Sequence, residues 1–200
     1  PADTGLAPVM IAGRAPNVAV VRAESPIASA RDLLARARAQ PGRLTYGSAG
    51  NGTSTHLSAE LLKVMAKAYI THVPYRGATP MITDLLGGQI DLGFGTLPSV
   101  APFLASGKLR ALAVTGSQRS ALLVQVPTFA EVGVTGYEAD GWDGLFVAGA
   151  TPLPLRRQLH AALLKACDTE AFRKRAAHEG LVLSMEDPEE SMRIFRAEEA

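Results

Sequence analysis

Residues 44–73 read LTYGSAGNGTSTHLSAELLKVMAKAYITHV, and the pattern of this stretch indicates the fold class. Leu44 to Tyr46 is a short apolar run that predicts a strand, and Gly47 to Gly52 makes a glycine-rich loop after it. Another strand is predicted from Ile70 to Val73. Between the loop and that strand, five apolar residues share one face of a predicted helix: Leu57, Leu61, Val64, Met65 and Ala68.

The chain keeps this alternation on both sides of that stretch. Further strands are predicted at Val18 to Val21, Ile90 to Phe94 and Leu109 to Val114. Nearly continuous apolar strands that alternate with helices are typical of a parallel sheet with helices on both faces. We therefore predict an α/β fold with a largely parallel sheet. The helices have three capping signals: Ser29 with Asp32, Thr79 with Pro80, and Thr96 with Pro98.

The pattern changes in the last third of the chain. From Ser117 to Pro154 it breaks into short pieces rich in glycine and proline around Trp142 to Val147, which predicts a crossover between two lobes. Asp168 is predicted to cap a later helix, and Leu181 to Leu183 to form a brief strand. Before them, one long helix is predicted from an apolar row: Leu155, Leu159, Leu163 and Ala166.

Composition limits the class of protein. Of the 200 residues, 47% are hydrophobic and 20% are charged, which is enough for a substantial core. Lys and Arg number 20 against 19 Asp and Glu, so the formal charge of +1 gives no basic excess for nucleic acid. No run of about 18 residues is free of charge, which argues against a membrane-spanning helix. The single cysteine, Cys167, excludes an internal disulfide and a cysteine-based zinc site.

Three predicted strands are followed by loops of small residues with a hydroxyl at the start of the next helix. These loops are Gly47 to Thr55, Gly77 to Thr79, and Gly95 with Thr96. In a parallel sheet the carboxyl ends of the strands share one edge, where α/β sheets bind ligands. Helix N-termini offer free N–H groups and about half a positive charge. The loops together predict a site for a carboxylate or a phosphate, although each one alone is also explained as ordinary helix capping.

A nucleotide site is not favoured, although Gly47 and Gly52 have the spacing of a phosphate-binding loop. Thr53 stands where the lysine of such a loop is required, and Thr55 replaces the third small residue of a dinucleotide fingerprint. No acid follows the strand Ile70 to Val73 to bind a ribose. We therefore expect no cofactor.

No catalytic or metal-binding set stands out in the sequence. A G-x-S-x-G motif is absent, and Cys167 is better explained as a small packing or capping residue. His56 and Glu60 lie four residues apart on one helix face, but a third metal ligand is missing, so a packed or hydrogen-bonded histidine is favoured. Arg76 is expected to face solvent, and Trp142 to pack in a core or hinge. An enzyme is therefore not favoured.

Five segments along the chain carry a resemblance to a known family. They are SAGNGTSTHL (48–57), VPYRG (73–77), LLGGQID (85–91), GKLRALAVT (107–115) and VPTFAEVG (126–133). In this order and spacing they resemble the tripartite tricarboxylate transporter receptors, also called Bug-type periplasmic solute-binding proteins.

The resemblance implies a two-lobed type II periplasmic binding fold. Such a protein closes around a small carboxylate in the periplasm and delivers it to the membrane subunits of a transporter. A dicarboxylate, a tricarboxylate, an amino acid and an aromatic acid all remain open as ligands. The matching positions give these candidate binding residues at helix N-termini: Ser48, Ala49, Gly50, Gly52, Thr53, Ser54, Gly77, Ala78, Thr79, Gly95 and Thr96.

The sequence departs from the family pattern at both ends. Family members normally begin well before the segment that matches Val18, with a strand and a Pro-Gly-Gly loop, and end in a further helix after Phe195. The chain therefore resembles a complete second lobe, residues 17–142, with an incomplete first lobe from residues 1–16 and 143–200. We expect such a piece to bind ligand weakly, because closure needs both lobes, and to self-associate through uncovered apolar surface.

Two other classes of function stay open. The effector-binding domain of a transcriptional regulator has a similar two-lobed fold and is joined to a DNA-binding segment. An α/β enzyme acting on small acids would need a base or nucleophile such as His56 or Cys167. The receptor is favoured because the predicted sheet edge offers hydrogen-bond donors without a base, a nucleophile or a metal set.

Overall fold

Backbone hydrogen bonds organise the chain into two sheets in a computed structural model, which describes residues 5–197. One sheet belongs to a unit formed by residues 5–15 and 142–197, and the other to a unit formed by residues 16–141. The strands are β1 (Leu6–Ala15), β2 (Asn17–Arg22), β3 (Thr45–Ser48), β4 (Thr71–Pro74), β5 (Leu92–Thr96), β6 (Leu109–Val114), β7 (Gly141–Ala148) and β8 (Val182–Glu186). The helices are α1 (Ala30–Ala39), α2 (Ser54–Ala66), α3 (Ala78–Leu86), α4 (Leu97–Ala105), α5 (Leu153–Cys167), α6 (Glu170–His178) and α7 (Pro188–Ala197).

The division between the units is close to the expected lobe boundaries. Residues 17–142 were expected to form one lobe, and the unit begins and ends one residue earlier. Residues 1–4 and 198–200 of the expected first-lobe piece lie outside the described residues. Within the described part of the chain, no helix is long and apolar enough to cross a membrane.

Five strands form the sheet of unit 16–141, in the order β4-β3-β5-β2-β6. Strand β3 pairs in parallel with β4 and with β5, whereas β2 runs antiparallel to both of its neighbours, β5 and β6. The α/β fold and the largely parallel sheet are therefore confirmed, with β2 as the exception. The apolar run Val18 to Val21 is buried on both faces, and such a run does not reveal which way its strand points.

Side chains of β2 alternate between two cores, one on each face of this sheet. Ala19 and Val21 belong to a core that includes buried residues of α1 and α2. Val18 and Val20 belong to a second core with buried residues of α3 and α4. Burying one such valine stabilises the fold by about 1.5–3 kcal/mol. The prediction of helices on both faces of the sheet is confirmed.

Helix α2 is present as predicted, but its apolar row faces solvent instead of a core. Leu57 is 57% exposed and Val64 is 74% exposed, and Leu61 and Met65 are exposed as well. Ala68, the last member of the row, is buried but lies beyond the end of the helix. The buried face of α2 consists of smaller residues and one leucine: Thr55, Ser58, Ala59, Leu62 and Ala66.

Buried polar contacts explain this orientation of α2. The Tyr137 hydroxyl donates to the carbonyl of Ser58 at 2.8 Å, and the side-chain amide of Asn17 donates to the Ser58 hydroxyl at 3.4 Å. Small residues also let a helix approach a sheet closely. Counting apolar residues misses such a face, because its polar groups are satisfied by partners far away in the sequence.

The other unit has a three-stranded sheet in the order β7-β1-β8. Its central strand, β1, was not predicted, although Val9, Met10 and Ile11 are almost fully buried. Strand β1 runs antiparallel to β8, and α5 and α7 pack against it. The hydroxyl of Ser191, on α7, accepts the N–H of Ile11 at 2.8 Å, which ties this helix to the strand.

Two details of this unit differ from expectation. Helix α6 is capped by Thr169 rather than by Asp168: the Thr169 hydroxyl accepts the N–H of Phe172 at 3.2 Å, while Asp168 is the C-cap of α5. The predicted apolar row of α5 exists but is not covered. Leu155 is 46% exposed and Leu159 is 38% exposed, and none of the residues of α5 is buried.

Candidate functional site

Parallel pairing of β3 and β4 brings the first two candidate loops together. Ser48 at the end of β3 pairs with Pro74 at the end of β4, so the loops that follow both strands start at the same sheet edge. The N–H of Gly77 donates to the carbonyl of Ala49 at 3.0 Å, and the N–H of Tyr75 donates to the carbonyl of Ser48 at 3.2 Å. Segments 48–54 and 77–79 are therefore in direct contact.

The third candidate loop begins at the same edge. Strand β5 pairs in parallel with β3, with Gly47 opposite Gly93. Gly95 is buried within β5, whereas Thr96 is exposed and is the N-cap of α4, as predicted. The Thr96 side chain makes no capping hydrogen bond.

Five backbone N–H groups in the candidate loops donate to acceptors within the protein, and we call them the frame amides. Ala49 donates to the hydroxyl of Thr55 at 3.0 Å and Gly50 to the hydroxyl of Ser48 at 3.2 Å. These N–H groups of the candidate residues are therefore not free to bind a ligand. The frame amides are those of Ala49, Gly50, Gly52, Thr53 and Gly77.

Four other N–H groups have no acceptor among residues 5–197, and we call them the open amides. They belong to the first two residues of α2, Ser54 and Thr55, and to the first two residues of α3, Ala78 and Thr79. Helix geometry explains them, because the first N–H groups of a helix have no carbonyl one turn earlier to bond. Neither N-cap, Thr53 or Gly77, covers them with a side-chain hydrogen bond.

Helix α3 begins earlier than its sequence signal predicts. Thr79 was expected to be the N-cap and Pro80 the first helical residue, but the helix starts at Ala78 with Gly77 as its N-cap. Gly77 has φ of +105°, which side chains rarely adopt, so a glycine is needed at this turn. The earlier start adds the N–H groups of Ala78 and Thr79 to the first turn of the helix.

Hydroxyl groups lock the first loop from within. The Thr53 hydroxyl donates to the carbonyl of Gly50 at 2.7 Å and lies 2.9 Å from the Thr55 hydroxyl. Gly50 has φ of +135°, and a Cβ there would lie 3.1 Å from the carbonyl oxygen of Tyr75. The loop is therefore rigidly held, with its N-cap residue fixed in front of the open amides of α2.

A cluster of titratable side chains lies beside this loop, and sequence analysis found only part of it. His72 on β4 places Nε2 2.7 Å from the Ser48 hydroxyl, and its ring stacks on that of Tyr46 with centroids 4.7 Å apart. The rings of His56 and His72 are 4.4 Å apart. His56 is thus hydrogen-bonded and packed, as predicted, but His72 carried no signal, because the contact depends on strand register.

Glu60 anchors the far side of that cluster. Its carboxylate accepts the Tyr46 hydroxyl at 2.6 Å and the ammonium of Lys63 at 2.7 Å. Burial opposes ionisation of Glu60, but the hydrogen bonds from Lys63 and Tyr46 outweigh it and hold its pKa below the usual range. Burial, followed by the hydrogen bond to Glu60, raises the pKa of the Tyr46 hydroxyl. Within residues 5–197, no group of three potential metal ligands occurs.

The remaining singled-out residues lie at the periphery of the site or outside it. Arg76 is exposed in the loop between β4 and α3, as expected, and no ion pair joins it to another described residue. Trp142 packs its ring against Phe146 and Phe195 at 5.9 and 6.2 Å in the other unit. Cys167 ends α5 there and is partly buried.

Comparison with known proteins gives the family. Residues 2–200 match the family model described as tripartite tricarboxylate transporter family receptor. A curated relative, the UPF0065 protein in the tcbD-tcbE intergenic region of Pseudomonas sp. (strain P51), is 39% identical over 165 residues, which are 82% of this chain and 49% of that protein. The chain spans about half the length of the curated relatives that it matches most significantly.

Two solved structures extend the comparison to bound molecules. Rpa4515 of R. palustris with adipate superposes with a TM-score of 0.88 and 34% identity, over 98% of this chain and 65% of that chain. MatC (Rpa3494) from Rhodopseudomonas palustris with bound malate superposes with a TM-score of 0.80 and 28% identity, over 89% and 60% of the two chains. This chain belongs to the tripartite tricarboxylate transporter receptors, a family of Bug-type solute-binding receptors rather than enzymes.

Proposed function

We propose that this chain supplies part of a periplasmic receptor that captures a small organic carboxylate for a tripartite tricarboxylate transporter. The observation that carries the proposal is the pair of helix N-termini, those of α2 and α3, that begin at touching loops with open amides. Periplasmic location and a membrane transporter as the partner are extended to this chain from its family.

The open amides match the chemistry of a carboxylate. An ionised carboxylate only accepts hydrogen bonds, and its two oxygens offer about four acceptor positions. Backbone N–H groups at two helix N-termini supply donors together with a partial positive charge. Each hydrogen bond to a charged group contributes about 1.5–3 kcal/mol. Binding therefore does not require a lysine or arginine in the site.

The candidate residues divide into two roles in this proposal. Ser54, Ala78 and Thr79 donate N–H groups to the ligand, whereas Thr55 is only 2% exposed and is assigned no contact with it. The frame amides hold the loops in shape instead of touching the ligand. Thr96, exposed at the start of α4, offers a further contact at the same edge, and the buried Ser48 and Gly95 belong to the frame.

A dicarboxylate is the first ligand class to test. Adipate and malate, which two structural neighbours hold, both carry two carboxylates. The open amides recognise one carboxylate, and they leave the body of the molecule unspecified. Tricarboxylates, amino acids and aromatic acids are therefore included as further ligands in the same test.

The test measures binding of malate and adipate to the 200-residue chain by isothermal titration calorimetry, with their uncharged dimethyl esters as the ligand control. Ala78→Pro removes an open amide at the first position of α3, where helices accept proline. We expect affinity about tenfold lower, since one charge-assisted hydrogen bond is lost.

The matched control is Glu170→Pro, which makes the same change at the first residue of α6, in the other unit. It should leave the affinity unchanged. Esters that bind as well as the acids, or an Ala78→Pro chain that is folded and binds with unaltered affinity, would refute the proposal.

A further inference from the structure

We propose that His56 and His72 are positioning residues of the carboxylate site that hold the loop of residues 48–54 in its binding shape, and that the hydrogen bond to His56 requires a neutral ring. This inference rests on the proposed function. Neither ring is assigned to touch the ligand. Both contact the loop that precedes α2, on which two of the open amides depend.

His56 holds the loop through a backbone N–H. Its Nδ1 accepts the N–H of Gly52 at 3.2 Å, so the ring carries its proton on Nε2. That Nε2 lies 4.0 Å from the carboxylate of Glu60. A second proton would have to sit on Nδ1, where it would face the N–H of Gly52 as one donor against another. Protonation of His56 therefore breaks this hydrogen bond.

His72 holds the loop through the buried hydroxyl of Ser48. That hydroxyl lies 2.7 Å from Nε2 of His72, accepts the N–H of Gly50 at 3.2 Å and also lies 3.3 Å from the carbonyl of Gly50, to which it can donate. The carbonyl of Gly50 in turn accepts the hydroxyl of Thr53, the N-cap residue of α2. A continuous set of hydrogen bonds thus leads from His72 to the residue that precedes the open amides of Ser54 and Thr55.

His56 opposes the protonation of His72. The ring centroids lie 4.4 Å apart with the planes tilted by 30°, and like charges at that distance repel. Burial, followed by the charge of His56, lowers the pKa of His72 from its ordinary value of 6.5. Glu60 acts in the opposite direction, and the ammonium of Lys63 also lowers it. The charged and titratable groups that face the pair come from β3 and α2: Tyr46, Glu60 and Lys63.

The sign of the pH effect follows from these contacts. The folded chain holds His72 with a lowered pKa, so its neutral form is favoured and the arrangement is complete above about pH 6.5. As the pH falls through the lowered pKa, a proton binds to His72, whose neutral form the fold prefers. The loop then loosens, and carboxylate affinity falls on the acid side.

Three variants test this by calorimetric titration of malate between about pH 5.5 and 8, where small carboxylates stay largely ionised. His56→Leu removes the acceptor and should weaken binding about fivefold at neutral pH. His56→Asn keeps an acceptor near the position of Nδ1 and should restore most of that loss. The double variant His56→Asn with His72→Gln should also lose the pH dependence that the unchanged chain shows, because neither replacement titrates.

A control variant and a measurement without ligand distinguish failure of this inference from failure of the proposed function. His178→Asn, at an exposed site on α6, should keep the pH profile of the unchanged chain. Hydrogen exchange of the Gly52 amide should be faster in His56→Leu without any ligand. If the chain binds malate but the double variant keeps the full pH profile, this inference is wrong and the proposed function stands. If the unchanged chain binds no carboxylate at any pH, the proposed function fails and the inference fails with it.

Discussion

The two units of the chain bury their helices to very different extents. In unit 16–141, each of α1, α2, α3 and α4 contributes buried side chains to a five-stranded sheet. In the other unit, α5 packs against β1 without one buried residue along its 15-residue length. A run of alternating strands and helices builds its own two cores, whereas a sheet assembled from both ends of the chain leaves α5 without a buried residue.

The largest expected effect contrasts a leucine of each unit. Leu85 on α3 is fully buried, so Leu85→Ala should lower the free energy of unfolding by about 3 kcal/mol through lost burial and a cavity. Leu155→Ala on α5 makes the same chemical change at a half-exposed site and should cost less than about 1 kcal/mol. Urea denaturation followed by circular dichroism measures both. Equal losses of unfolding free energy for the two variants would show that α5 is buried in solution, and the difference between the two units would then not hold.

The sequence predicts unit 16–141 better than the other unit for a physical reason. Neighbouring strands and helices there are close in the chain, so apolar runs and capping residues such as Ser29 and Thr96 mark them locally. Strand β1 lies between β7 and β8, which come from the opposite end of the chain, and no local signal marks that pairing. The antiparallel direction of β2 was not predicted either, because a strand that is buried on both faces has the same apolar run whichever way it points.

The second effect concerns two glycines of the first loop. Gly50→Ala introduces a Cβ 3.1 Å from the carbonyl oxygen of Tyr75 at φ of +135°, and should destabilise the chain by about 2–3 kcal/mol. Gly52→Ala, at φ of +76° with open space around it, should cost only about 1 kcal/mol. Thermal unfolding and malate titration of both variants measure the difference. Identical behaviour would show that the loop is not held as described.

The candidate site was predictable in its location but not in its donors. Small residues after three strands indicate the sheet edge, and the structure brings the loops of Ser48 and Gly77 into contact. Which N–H groups are open depends on hydroxyl partners such as Thr55 and on where α3 begins. His72 reaches Ser48 only through the register of β4 beside β3, which single residues do not reveal.

The smallest expected effect is on self-association, which we expect for this chain because of the uncovered row on α5. The double variant Leu155→Glu with Leu159→Glu adds charge to that row and should shift the chain toward monomer in sedimentation velocity at increasing concentration. The matched variant, Leu57→Glu with Val64→Glu, changes the exposed row of α2 in the other unit and shows whether that row takes part in association as well. The expectation would be contradicted if only the α2 variant shifted the chain toward monomer, or if the unchanged chain were already a monomer.

Amide NMR tests the central claim most directly, because it observes each backbone N–H separately. Malate added to the 15N-labelled chain should shift the amide signals of Ser54, Ala78 and Thr79 more than those of Gly50 and Gly52, which already have partners. Dimethyl malate should leave all of them in place. The account is contradicted if malate binds, as seen by shifts elsewhere in the spectrum, while those three signals do not move.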